Sequence, residues 1–478
     1  MRADSNLIPV ESDVQQYIKS PKIILDNDLA LAFKELRLSS LLRSAKIKKR
    51  AGHCVNRIVY DLILIPFLMF NNVHLFVRAQ YEKAASQKNR FYRLLGQANY
   101  NWRRLILNLS YRIHNRISMP EQELFFVLDD TTCEVKGKLV ELASYVYDHA
   151  SKKTILGFQK LVLGIFDGHH LLPIGERICS GTHTPQAISK ATKYRKIPKT
   201  EKIDPQSPGA IERRQIKETK LKKAFSLLKD AQRRGFKAST LLMDSWFCFN
   251  SFIVKIINDR KLQVICQLKH LPRTNNYLYA NKRYTLKALY TQIAKPKLRM
   301  VKKYDFRQAA ITINIPETNV KLKIVFVHQP NRDKWYAFAA TNTKLTAPTI
   351  LRIYAQRWSI EVFFKNCKQY LNYGKEQMSN LDSIIACDTL VMLRYAMLTY
   401  IAANEKAKFY TTFDSLRDQN SKLCFGIRLL NYFMEQLNVL LDKLHEYIQK
   451  DLKEHAIELL QTIKNLNLEY RPLQPEAK

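Results

Sequence analysis

Two acids follow short apolar runs that lie far apart in the chain. Asp129, with Asp130 beside it, follows Glu123–Leu128 (ELFFVL), and Asp244 follows Thr240–Met243 (TLLM). Runs apolar on both faces suit central, doubly covered strands. Ligands of open α/β sheets bind beyond the carboxyl ends of the strands, so these carboxylates meet if the two strands are neighbours. Hard oxygen ligands sharing one cation, with waters and phosphate oxygens completing the shell, make a magnesium-type site. A third carboxylate allows two metals, which clamp the attacking and leaving oxygens of an in-line phosphoryl displacement. The cations also relieve a repulsion that would otherwise raise the carboxyl pKa values.

The third carboxylate has its own pattern. Tyr354, Arg357, Glu361 and Lys368 fall within one apolar-periodic segment, Pro348–Leu371, that reads as a single helix. At ~100° per residue their spacing keeps all four within about 60° of one face. That face offers a phenol, a guanidinium, a carboxylate and an ammonium. Glu361 is the candidate metal ligand. Arg357 and Lys368 suit DNA phosphates, with Lys365 beside them, and Tyr354 suits a backbone contact. Arg357–Glu361 and Glu361–Lys365 would also be ordinary i,i+4 pairs, and an Asp at a strand end is common in turns. Only the combination points to a site.

The elements that must position these groups follow from the patterns between them. Residues 1–118 read as helical, with Pro9–Ile18 and Asp28–Ile47 at helix spacing. Arg90, Arg93, Arg103, Arg104 and Arg112 interleave there with Phe91, Tyr92, Tyr100, Trp102 and Tyr111, which suits either a nucleic-acid surface or an amphipathic bundle with solvated charges. Strands are expected at Thr154–Phe166 and His169–Ile178, joined by Asp167-Gly168. Ser180–Arg214, rich in Lys, Arg and Pro, reads as a surface loop, and Ile211–Arg234 as a helix ended by Gly235. A helix over Asn250–Arg260 and a strand over Leu262–Leu268 follow. Leu298–Phe306, Ala309–Ile315, Lys321–His328 and Trp335–Thr341 then read as a small antiparallel unit inserted in the α/β part.

Composition narrows the partners. In 478 residues, 78 Lys and Arg face 42 acids, a formal net charge of +36, which points to a polyanion, nucleic acid before an anionic membrane surface. The eight cysteines have no zinc-knuckle spacing and read as small apolar residues in a reducing compartment. No signal peptide is expected at the N-terminus. Tyr60–Val77 is about long enough to span a bilayer, but Asp61, Pro66, Asn71, Asn72 and His74 interrupt it, so a buried helical hairpin is expected and no membrane partner. His149, His169 and His170 read as structural or surface groups.

The stretches FFVLDDTTCEVKGK (Phe125–Lys138), YDHASKKTILGFQKLVLG (Tyr147–Gly164), LLMDSW (Leu241–Trp246) and YAQRWSIEVFFKNCKQYL (Tyr354–Leu371) resemble the bacterial insertion-sequence transposases of the DDE, RNase H-like superfamily, in the subgroup with a Tyr-Arg-Glu-Lys signature. The resemblance covers about 120–375. It implies an α/β fold with an RNase H-like mixed sheet flanked by helices, an antiparallel β-insertion, and helical N- and C-terminal regions. The expected divisions are a helical DNA-binding region at 1–118, a catalytic core at 119–275 and 346–400 split by the insertion at 276–345, and C-terminal helices at 401–478.

It also implies a cut-and-paste DNA transposase that cleaves at the inverted repeats of its element and joins the ends to target DNA. Two Mg2+ ions, or Mn2+ in their place, would serve it, held by Asp129, Asp244 and Glu361. A homodimer on DNA and a cytoplasmic, nucleoid-associated location are expected. Some members of the family hold a flipped base on an aromatic ring, for which Trp335 and Trp246 are candidates, against a core role for each. Asp129-Asp130-Thr131-Thr132 matches the family as Asp-x-Thr or as Asp-Thr-Thr; the step to Gly137 favours Asp129, with Asp130 the alternative. Neighbours on a strand point to opposite faces, so only one should reach the metal. The rival readings are a repurposed DNA-binding protein on the same fold and an RNase H-like nuclease without strand transfer.

Overall fold

The structure, a computed structural model, describes residues 28–49, 54–78, 88–117, 123–137, 139–148, 151–180, 203–301, 306–329, 334–375 and 378–421, with a few positions between 433 and 440. Pro9–Ile18, most of the basic 180–214 segment and most of 401–478 lie outside the described residues.

The chain divides into two compact units, one formed by 1–39, 51–91 and 405–478, the other by 40–50 and 92–404. In the first unit, α1 (Asp28–Glu35), α3 (Val55–Leu64) and α4 (Val73–Arg78) bury aromatic rings, with Phe33 edge-on to Tyr60 and Phe76 edge-on to Phe91. A 3-10 turn at Ile65–Leu68, closed by Met69 at φ 61, joins α3 to α4. Tyr60–Val77 thus forms two helices joined by a 3-10 turn, buried over 60–68, while Met69, Asn71, Asn72, His74 and Leu75 are exposed, so only part of it is the buried segment expected. Asp61 is buried there and pairs with Arg57 and Arg90. The short helix α2 (Leu38–Ser44) crosses from one unit into the other, as does α5 (Lys88–Leu95).

The second unit is built on one 12-stranded sheet. Its strands are β1 (Phe125–Glu134), β2 (Ser144–Asp148), β3 (Lys153–Phe166), β4 (Leu171–Cys179), β5 (Thr240–Met243), β6 (Gln263–Leu268), β7 (Tyr277–Tyr279), β8 (Lys282–Tyr284), β9 (Arg299–Val301), β10 (Phe306–Asn314), β11 (Lys321–Gln329) and β12 (Lys334–Ala340). β1 runs antiparallel to β3 and parallel to β5, and β5 runs parallel to β6. Antiparallel β3–β4 pairing extends one side. The turn between them is the expected one: Gly168 takes φ 93, and the Asp167 carboxylate accepts from the His169 and His170 amides. This is a mixed α/β fold of RNase H-like type. The strands of the 276–345 segment do not form a sheet of their own. β12 pairs antiparallel with β6, and β11 and β10 follow, so they prolong the main sheet.

Helices cover both faces of that sheet. They are α6 (Trp102–Ile117), α7 (Pro208–Gln215), α8 (Lys220–Arg234), α9 (Asn250–Lys255), α10 (Ala347–Ala355), α11 (Trp358–Tyr370) and α12 (Leu381–Asn404). The expected single helix over Ile211–Arg234 is two, because Thr219 caps a fresh start at the Lys222 amide. Strand alternation sorts the faces. On β4, Arg177 reaches Asp230 of α8, whereas Glu176 accepts from Tyr373, beyond α11. Lys160 of β3 lies opposite Ile178, on the Glu176 face, and pairs with Asp388 of α12. One face therefore carries α8 and the other α11 and α12. α12 is long and apolar enough to cross a membrane, but 94% of that stretch is buried inside the protein, and it packs on α6 and β4. That packing makes it a core helix.

Candidate active site

Leu128 of β1 stands opposite Met243 of β5, the last pair of their parallel ladder, so Asp129, which lies within β1 and not at its end as expected, sits beside Asp244, which leaves β5. Neighbouring strands are about 4.8 Å apart, which brings the two carboxylates together without any special loop. Both are half-buried. Asp244 opens the 3-10 turn at Ser245–Phe247, and its side chain is not used to cap it.

Face parity separates Asp129 from Asp130. Thr131 lies opposite Lys160 on the α12 face, and Asp129, two residues away, shares that face. There it accepts from Arg357 Nη1 at 2.8 Å. Asp130 points to the other face, where Lys220, in the first turn of α8, donates to it at 2.9 Å. A cation in the first turn lies against the helix dipole. That oddity in the sequence was the one signal for Lys220, which the motif reading missed. The same ammonium sits 3.9 Å from the centre of the Trp246 ring.

The Tyr354–Lys368 segment departs from the expected single helix. It breaks at Gln356–Arg357, so Tyr354 ends α10 while Glu361 and Lys368 lie on α11, with Arg357 at its N-cap. The four side chains still converge, by different routes. Arg357 bridges Asp129 and Glu361 through separate guanidinium nitrogens. Its carbon also lies 5.7 Å from the centre of the Tyr354 ring. Tyr354 packs on Phe338 of β12 and donates weakly to Gln267 of β6 at 3.4 Å. Lys368 donates to the backbone carbonyl of Thr132 at 3.0 Å, clamping α11 to the end of β1. Lys365 is exposed.

Trp335 and Trp246 differ in setting. Trp335 is half-buried and stacked on Tyr290, 4.3 Å between ring centres, beside Phe326. That packing occupies one face of the indole. Trp246, next to Asp244, is 39% exposed. In the α5–α6 stretch, Phe91 and Trp102 are core residues, so no base can stack on them.

The electrostatics explain why a guanidinium sits among the acids. Burial, aided by Asp130 and Asp244 and opposed by Arg357, raises the Asp129 carboxyl to about 7. Burial likewise raises the Tyr354 phenol above its ordinary value. Three hard oxygen donors around a buried negative charge suit a divalent cation. As the side chains stand, no group of three His, Cys, Asp or Glu among the described residues is close enough to hold one. The Arg357 guanidinium instead lies between Asp129 and Glu361 and pairs with both.

Residues 75–284 match the family model of the DDE superfamily endonucleases, and residues 214–393 match that of the transposase DDE domain. The first match includes Asp129 and Asp244, the second Asp244 and Glu361. No curated protein matches the chain. The acids carried by β1, the end of β5 and α11, with two overlapping family-model matches, support a transposase-type nuclease of the DDE kind.

Proposed function

We propose that this chain cuts the ends of an insertion sequence and joins them to target DNA, with Asp129, Asp244 and Glu361 as the metal-holding triad. The observation that carries the reading is the bridge from Asp129 through Arg357 to Glu361, beside Asp244 on the adjoining strand. Divalent ions of the Mg2+ or Mn2+ kind, two of them on this reading, would supply Lewis-acid stabilisation of the attacking and leaving oxygens. The chain's own groups do the rest. Arg357 holds the two acids apart from solvent until a DNA phosphate offers it a bidentate partner. Its departure leaves both carboxylates free to act as ligands. Lys368 fixes α11, and hence Glu361, against the end of β1. Lys365 is exposed, available to a phosphate. Tyr354 keeps its proton at neutral pH and can therefore donate to a phosphate oxygen. Trp246 is the more exposed of the two rings, with Lys220 over one of its faces, and is the candidate for an extruded base. A homodimer on two DNA ends and a cytoplasmic, nucleoid-associated location complete the proposal.

The test is Glu361→Gln on DNA carrying the inverted repeats that flank the gene. It should lose cleavage and keep DNA binding, and Mn2+ binding by calorimetry should weaken. Metal-dependent nicking retained by this variant would remove Glu361 from the triad. Joining of precut ends by the parent chain separates transposition from plain hydrolysis.

A further inference from the structure

A second feature of the 92–404 unit lies away from the carboxylates. A groove of about 790 Å³ opens between α6, the start of α7, the second half of α8, and the turn at 44–46. Its floor is Ile174 and Gly175 of β4. Gly175 and Arg177 share the face of the sheet that carries α8, opposite the face of Asp129 and Arg357. From Lys220, which pairs with Asp130, to Arg233 at the groove, α8 runs about 20 Å at its rise per residue. The groove is thus separate from the triad.

Its charge is one-sided. Six cations line it against two acids, Glu212 and Asp230. The two acids are already engaged, Glu212 by Arg103 and Asp230 by Arg177. Arg234 is likewise fixed, donating to Asn108 and lying over the Tyr111 ring. These pairs form the wall. Lys46, Arg104 and Arg233 remain, all exposed and in no ion pair among the described residues. They come from three elements. Lys46 is held in place by a pinned turn: the Asn101 amide donates to the Ala45 carbonyl at 2.9 Å, and the Tyr100 hydroxyl to the Lys48 carbonyl at 2.8 Å. The buried Nε of Arg177 has no hydrogen-bond partner.

Small-molecule pockets are lined mainly by apolar groups with few polar ones, which this groove is not. Free cations spaced over a fixed, open wall suit a run of phosphates. We propose that this groove is a second DNA-binding surface, which holds the phosphate backbone of duplex DNA through Lys46, Arg104 and Arg233. The proposal takes DNA as partner from the reading above, but it does not depend on the triad.

The test uses the full chain, a 30-base-pair duplex of arbitrary sequence, and EDTA throughout, so that no cleavage enters the readout. The parent is compared with the triple variant Lys46→Gln, Arg104→Gln, Arg233→Gln. All three positions are exposed, and an unchanged melting curve checks the fold. The slope of log affinity against log salt should become shallower by about 2 to 3, near 0.9 for each phosphate no longer neutralised. In the parent, the duplex should protect Lys46 from acetylation and Arg104 and Arg233 from phenylglyoxal. An unchanged slope would overturn the proposal. So would labelling indifferent to DNA, or protection by phosphatidylserine vesicles but not by the duplex. If Glu361→Gln left cleavage intact while these residues were protected, the triad would fall and the groove would stand.

Discussion

At the scale of single residues, the site is a balance between one guanidinium and several carboxylates. Asp129 shows the balance most directly, because burial holds its carboxyl up to about 7. An unfolded Asp gives up its proton near pH 4. Between these values the folded chain binds the extra proton, so stability should fall as pH rises from about 4 to about 7. The gap limits the loss to ~4 kcal/mol, and deprotonation that tightens the Arg357 pair is already counted in it. Asp129→Asn has no such proton, so its urea midpoint should stay flatter over that window, above the parent at pH 8 and closer to it at pH 4. Mn2+ at pH 8 should restore the parent and leave the variant unmoved. A parent curve as flat as that of Asp129→Asn would show that Asp129 ionises normally.

At the scale of elements, β3 and α12 are joined by a pair that water does not reach. Lys160 and Asp388 are each 1% exposed and 2.6 Å apart, with Lys160 also 4.8 Å from the Tyr373 ring centre. Removing one partner leaves a buried charge, which costs about 3–5 kcal/mol. Asp388→Leu should therefore destabilise by that amount, as should Lys160→Met, while the two together should recover most of it. Denaturant melts of the two singles and the double form the cycle; additive losses would mean the two groups are not coupled. Nothing local announced this pair, since Lys160 reads as one cation in an apolar strand and Asp388 as one acid in an apolar helix. The same limit governed the site. The apolar starts of β1 and β5 and the acids that follow those runs were legible, because apolar runs ending in Asp are local patterns, but the continuation of β1 through Asp129 to Glu134 was not. Nor were the faces that Asp129 and Asp130 take, because they rest on the register of β1 against β3 and on partners, Arg357 and Lys220, far along the chain. The break at Gln356–Arg357 carries no Gly or Pro to mark it. The antiparallel strands after β6 were legible one by one, but their joining to β6 rests on a register that only the folded sheet fixes.

At the scale of the whole molecule, a net charge of +36 should set opposite responses to salt with and without DNA. Like charges on a folded chain repel, and unfolding lets them separate. Added salt screens that repulsion, with a reach of about 10 Å at 0.1 M. Raising NaCl from about 50 to about 300 mM should therefore raise the melting temperature of the chain alone, given how one-sided the charge is. Duplex DNA in excess adds stability by mass action, about 2.7 kcal/mol at a concentration 100 times Kd. Its affinity falls steeply with salt, because each neutralised phosphate releases counterions. The DNA-dependent increment should thus be largest at low salt and shrink over the same range in which the free chain gains. Differential scanning fluorimetry at matched salt steps reads both trends in one experiment. Parallel curves, with a DNA increment that does not depend on salt, would mean that the excess cations do not meet phosphate, and that the basic surface serves something other than the backbone of DNA.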